Sequence, residues 1–222
     1  MILVIGASSG LANVVVNSLS QFDDVILTHY RNPLRNNSQF LDLADNESID
    51  NFIAINKTRL KNLTLVNFSA YSKDGILYHY GMEDWERSFK INVRGPFYLI
   101  QKILPIMISQ KYGRIINVSS ILANKGAVGA GAYSSSKSAL IGLTRTLSKE
   151  YARFNILSNI LELGYFEGGL TDRMEVDKLN EIISNIPTLA LGDPDEIAKT
   201  IKLLIESNYI NGSQIKINGG MQ

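Results

Sequence analysis

The stretch "ILVIGASSGLA", residues 2–12, opens with four consecutive apolar residues and breaks at Gly6 into small and hydroxyl side chains. A continuous apolar run of that kind fits a strand covered on both faces. Gly6 and Gly10 then fall at the turn and at the start of a helical pattern over residues 10–20. Strand, glycine-rich turn and helix N-terminus in succession form an anion site. N–H groups point outward, the helix dipole favours negative charge, and missing side chains admit a pyrophosphate. Ala12 supplies a third small position, where the helix must pack close to the sheet. A glycine pattern alone also fits a tight turn, but its place after a first buried strand favours dinucleotide binding.

Outward from this unit the alternation repeats. Apolar runs at 25–28, 39–41, 63–67, 114–119, 155–160 and 214–217 are separated by helical patterns at 45–58, 83–110, 132–152 and 194–206. Such alternation predicts an α/β fold, a doubly wound parallel sheet of about seven strands with helices on both faces. No linker, repeat or low-complexity segment interrupts it, so residues 1–222 read as a single Rossmann-type domain. One crossover is anomalous: "PLRNNS", 33–38, has no room for a helix. Either the third strand is short and skewed, or its boundaries lie a few residues away.

Composition narrows the chemistry. The 222 residues are 45% hydrophobic and 19% charged, with 22 basic against 21 acidic side chains and a net charge of +1. That balance offers no electrostatic reason to expect a nucleic acid or an anionic membrane as partner. Cysteine is absent, which excludes disulfides, thiol nucleophiles and thiolate metal sites, and the two histidines, His29 and His79, stand far apart. No metal site is expected. "MILVIGASSG" is too short for a signal-peptide core or a membrane span and lacks a basic leader, so a cytoplasmic location is the expectation.

The nucleotide is discriminated at the end of the second strand, where a carboxylate suits NAD and an arginine suits the extra phosphate of NADP. Here the run is His29-Tyr30-Arg31-Asn32, without a carboxylate. Arg31 has the donor fork for a phosphate. An ordinary solvated arginine would read the same; NADP(H) is favoured over NAD(H).

A second stretch, "GAYSSSKSALIGL", places Tyr133 four residues before Lys137 in a helical pattern. Phenol and ammonium then share one face. A lysine nearby stabilises a phenolate and would bring the tyrosine toward a working pKa. The spacing alone is common. Ser120, thirteen positions upstream and just past the fifth strand, and Asn92 in "KINVRGPF" give it weight.

Together these segments resemble the short-chain dehydrogenase/reductase family over nearly the whole chain. "GASSGLA" is similar to its glycine motif, "NFSA" (67–70) to its Asn-Asn-Ala-Gly motif, "INVRGPF" to its asparagine helix and "GRIINVSS" to its serine strand. "YSSSK" resembles its catalytic helix and "YINGSQIKINGGM" its closing strand. The 3-oxoacyl-(acyl-carrier-protein) reductase branch looks most similar. The resemblance implies a catalytic set of Asn92, Ser120, Tyr133 and Lys137. Tyr133 would protonate the carbonyl, Lys137 lower its pKa, Ser120 hold the oxygen and Asn92 keep a relay water. It also implies cofactor contacts from Gly6, Ser8, Ser9, Gly10, Leu11, Arg31, Asp42, Leu43, Asn67, Ser69 and Gly164, besides Tyr133 and Lys137. Asp42 would meet the adenine and Asn67 the adenosine ribose.

The chain departs from the family at Ile5, Phe68, Ala70 and Leu163, and at Gly168 or Gly169, where a threonine usually holds the nicotinamide amide. These losses would weaken cofactor affinity, not abolish the chemistry. The substrate is read as a small-molecule ketone or alcohol, free or carrier-bound. The substrate loop is expected from Gly164 to about Ile186, with Tyr165 and Phe166 lining an apolar pocket or packing the lid. Glu162 either meets a polar substrate or is solvated. Lys111, Arg114, Lys149 and Arg153 are candidates for a basic entrance or plain solubility. Phe89, Phe97, Ile100, Ile103 and Met107, with Leu143, Leu147 and Tyr151, suggest a homodimer or homotetramer through the long helices, or else all face the sheet. A retired reductase that only binds nucleotide, and an isomerase, epimerase or dehydratase, are the competing functions.

Overall fold

The computed structural model describes residues 1–19, 24–34, 38–169 and 171–221. The strands are β1 (Ile2–Ile5), β2 (Val25–His29), β3 (Gln39–Phe40), β4 (Thr64–Asn67), β5 (Gly113–Ser120), β6 (Ile156–Leu163) and β7 (Gln214–Ile217). They form one parallel sheet in the order β3-β2-β1-β4-β5-β6-β7. The helices are α1 (Gly10–Leu19), α2 (Asn46–Asn56), α3 (Met82–Phe89), α4 (Gly95–Gln110), α5 (Leu122–Lys125), α6 (Gly131–Glu150), α7 (Val176–Ser184) and α8 (Pro194–Glu206).

The apolar run of β1 explains itself in the layers. Ile2 and Val4 point into one core with α1 and α8; Leu3 and Ile5 point into the other with α2 and α4. Successive side chains alternate across a strand, so a strand buried on both faces must be apolar at every position. Helix starts are specified locally. Asp45 caps α2 through Glu47 N (3.0 Å), and Asp193 caps α8 through Asp195 N (2.9 Å), with Pro194 in its first turn.

Three features differ from the sequence pattern. β6 runs three residues beyond the apolar pattern, to Leu163, and carries Glu162 inside it. The helical pattern at 83–110 is broken by a π turn at Lys90–Arg94, and the Gly95 that follows it approaches Leu43 so closely that a Cβ would lie 2.7 Å from the Leu43 Cβ. The third strand is short: β3 pairs with β2 over Thr28↔Gln39 and His29↔Phe40 only. Ser38 anchors it, bonding His29 Nδ1 (2.8 Å) and accepting from Leu34 N (2.8 Å). Residues 35–37 of the anomalous crossover lie outside the described residues.

Candidate active site

The strand order reverses between β1 and β4, which leaves a crevice at their carboxyl ends. Gly6 follows β1 at φ +72°, with Ser69 backbone 3.2 Å from where its Cβ would be. Only glycine fits that left-handed turn with so near a neighbour. Ser8 and Ser9 then lead into α1, whose first residues are Gly10 and Leu11, so the unpaired N–H groups of the helix start follow directly on the glycine turn.

Two strands further along, Ser120 closes β5 and Tyr133 stands in the first turn of α6. The Ser120 hydroxyl stands beside the Tyr133 phenol. Burial pushes the phenol's pKa up, and the Ser120 hydroxyl offsets part of the rise. Lys137, one turn on, is only 2% exposed. Its Nζ donates to the carbonyl oxygens of Ser69 (2.9 Å) and Val118 (2.8 Å), joining the ends of β4 and β5 to α6. Among the described residues no anion compensates it, and burial lowers its pKa to about 7.

Asn92 sits in the π turn, fully buried. It accepts from Tyr71 N (2.6 Å) and donates to Tyr71 O (2.9 Å) and Ser136 Oγ (2.9 Å), while Ser136 donates to Tyr133 O (2.8 Å). The chain after β4 is thereby fixed to the turn that carries Tyr133. Such π turns are frequent at functional sites. Tyr71 and Ser136 had no signal in the sequence, because their parts depend on a fold contact across roughly the width of the site.

A family described as enoyl-(acyl carrier protein) reductase matches residues 8–222 of this chain. The chain belongs to the short-chain dehydrogenase/reductase family. As a short-chain dehydrogenase/reductase it is an NAD(P)-dependent oxidoreductase that acts on C–OH and C=O groups. It is 32% identical over 233 residues to a 3-oxoacyl-(acyl-carrier-protein) reductase of Buchnera aphidicola, covering 99% of this chain and 96% of that protein. It is 32% identical over 230 residues to carbonyl reductase family member 4 of Xenopus laevis, with 99% and 96% covered. A 3-oxoacyl-(acyl-carrier-protein) reductase of Thermotoga maritima is 36% identical over 159 residues, covering 71% and 65%.

The residues present fit the dinucleotide of a short-chain dehydrogenase/reductase. The glycine turn is cradled by Phe68 and Ser69, Arg31 is exposed beside Tyr30, and Asp42 accepts from Ala44 N (2.7 Å) near the crevice. Asn67 and Ser69 lie at the carboxyl end of β4. Asn67 is buried, donating to Asn117 Oδ1 (3.1 Å) and accepting from Ser69 N (3.1 Å) and Ser69 Oγ (2.6 Å). Gly164 packs on Asn218, whose Cα lies 2.8 Å from a built Cβ.

The loop after β6 runs back to the glycine turn. Gly168 and Gly169 adopt φ +78° and +92°, and a Cβ on Gly169 would lie 3.0 Å from Leu11 N. A Cβ on Gly10 would fall on the Gly169 Cα. Phe166 is buried, pairing with Gly192, while Tyr165 packs with Ile121, Ile186 and Met221. Both aromatic side chains pack the loop. The charged run beyond forms α7.

Proposed function

We propose that the protein is an NADPH-dependent ketoreductase acting on an apolar ketone, working in the cytoplasm. The observation that carries this reading is the buried Tyr133 phenol beside Ser120, with Lys137 one turn on bonded to Ser69 O, whose backbone cradles the glycine turn. Burial keeps the Tyr133 phenol protonated, as a proton donor to a carbonyl must be. NADPH, when bound, supplies the hydride for the carbonyl carbon. Ser120 holds the carbonyl oxygen, and Tyr133 gives its proton to that oxygen as charge develops there. The resulting phenolate is reprotonated from solvent, with Lys137 one turn below stabilising the negative state. Asn92 holds this arrangement by clamping the Tyr71 segment to α6. Both Nδ2 hydrogens of Asn92 are committed, so a relay water would be held through another atom.

The rim supports an apolar substrate. Ile76, Leu77 and Val128 are exposed beside the start of α6, and Gly75 N donates to Gly129 O (2.9 Å), which joins their two segments. The basic candidates lie elsewhere. Arg114 is buried near the start of β5, roughly 20 Å from Ser120 at the 3.3 Å rise of a strand. Lys111 ends α4, Lys149 lies in the last turn of α6, and Arg153 follows it, at the far end of the helix from Tyr133. These residues do not form a basic entrance, and a free ketone is preferred over a carrier-bound one. Arg31 favours NADPH over NADH.

The test is NADPH oxidation against a panel of cyclic ketones, ketosugars and acyl thioesters, with NADH in parallel. Turnover lost in Tyr133→Phe supports the reading. Nucleotide binding without turnover of any ketone would favour a retired reductase, and turnover of substrate without net NADPH consumption an isomerase.

A further inference from the structure

Glu162 is the buried carboxylate of the described residues, 1% exposed in the middle of the β5–β6–β7 region. It does not meet solvent, one of the two roles its sequence position suggested. Nor, among the described residues, does it meet a cation. Its partners are three carboxamides: Asn124 Nδ2 (2.5 Å), Gln214 Nε2 and Asn218 Nδ2 (3.4 Å). Burying a carboxylate without an opposite charge is costly, and donors on every side are what make it tolerable.

The Asn124 bond is the one that reaches the site. Asn124 belongs to α5, a single turn of helix too short to hold its shape alone. α5 begins two residues after Ser120, and Leu122 N donates to Ser120 Oγ (3.2 Å). Ile121 N donates to Leu163 O (2.9 Å), next to Glu162. On the opposite side, Ser138 Oγ, one residue past Lys137, bonds Ala123 O. The turn after Ser120 is thus suspended between β6 and α6, with Glu162 as its β6 anchor.

We propose that Glu162 is a positioning residue for the Ser120 hydroxyl, acting through Asn124 and α5. It rests on the reading of Ser120 and Tyr133 as the carbonyl site. If α5 loses its anchor, the Leu122 N–H that orients Ser120 Oγ moves, and the hydroxyl no longer meets the phenol squarely. A merely structural Glu162 would staple β6 to β7 and leave Ser120 unaffected.

Asn124→Ala and Gln214→Ala separate the two roles, since each removes one donor from the same carboxylate but only the first reaches α5. Asn124→Ala should lower kcat about tenfold, the scale of a small displacement of a positioned group, without changing KM for NADPH. It should also raise the ionisation pH of Tyr133, read as tyrosinate absorbance by difference against the same protein carrying Tyr133→Phe. Gln214→Ala should do neither. Glu162→Gln, whose Oε1 still accepts from Asn124, should retain most of the wild-type kcat. Equal effects of Asn124→Ala and Gln214→Ala, or a Tyr133 titration unmoved by Asn124→Ala, would overturn the proposal. Should wild type reduce no ketone, the reductase reading fails while the tyrosinate titration still decides the role of Glu162.

Discussion

The Lys137 ammonium lies 5.9 Å from the centre of the Tyr133 ring and bonds the carbonyl oxygens of Ser69 and Val118. The i,i+4 spacing puts both residues on one face of α6, as the sequence predicts, but the lysine reaches inward to the sheet. Burial then governs both groups: it raises the phenol's pKa and lowers the ammonium's.

Lys137 should therefore make stability pH-dependent. Its pKa is about 7 in the folded chain, against about 10.4 for a free lysine. Between those values the unfolded chain binds the extra proton, so stability rises with pH from about 7 to about 10. Below about pH 7 the cost of burying the charge is fully present. Urea midpoints across this range should climb in wild type and stay flatter in Lys137→Met. A climb preserved in the mutant would show that Lys137 is not its source.

Ser120→Ala removes the hydroxyl that offsets the rise in the Tyr133 pKa. The ionisation of Tyr133 should move further up, and kcat should fall by roughly 10²–10³, the usual effect of deleting one oxyanion-type donor. Nucleotide affinity should be unchanged. Steady-state kinetics with a fluorescence titration of NADPH would check both; a matching loss of affinity would mean that Ser120 supports the fold of the crevice.

The fold was legible because its signals are local. The apolar run of β1 and the glycine turn each depend on near neighbours, and so did the order of Ser120, Tyr133 and Lys137. What sequence missed depends on distant contacts. The burial of Glu162 was not legible because its carboxamide partners come from positions 124, 214 and 218. Arg114 looked solvent-facing, yet Asn208 and Asn155 receive its guanidinium. Ile100, Ile103 and Met107 looked available for an interface and instead face the sheet.

Gly10→Ala should abolish nucleotide binding while the protein still folds. The new methyl would meet the Gly169 backbone at the very N-terminus of α1, where a pyrophosphate must approach. Gly142→Ala is the control: nothing lies within 4 Å of its Cβ, and the helix interior should gain roughly 0.5–1 kcal/mol. Calorimetric titration with NADPH would compare them. Undiminished binding by Gly10→Ala would place the nucleotide elsewhere.

Arg31→Glu should reverse the cofactor preference. The exposed guanidinium can pair bidentately with a 2′-phosphate, whereas a carboxylate repels it and accepts from a 2′-hydroxyl. The ratio of kcat/KM for NADPH to that for NADH should drop at least tenfold. A ratio indifferent to the substitution would assign Arg31 to the solvated surface.

Phe97→Glu tests the oligomer. Phe97 is 48% exposed and, with Trp85, Phe89, Val93 and Leu143, lines an open apolar groove of about 570 Å³ between α3, α4 and α6. The helices thus bury one stripe, including Ile100, Ile103, Met107 and Leu147, and leave a second one uncovered. An apolar face of this kind, repeated on a second copy, can bury itself about a two-fold axis. A carboxylate at position 97 would then be buried without a partner, along with its symmetry mate, and assembly should be lost. Sedimentation velocity should find wild type as a dimer or tetramer and Phe97→Glu as a monomer with an unchanged circular dichroism spectrum. Lys102→Glu, which faces Asp50 instead of the groove (2.7 Å), should leave the assembly intact. A monomeric wild type would leave the groove to a different partner and remove the homo-oligomer from the reading.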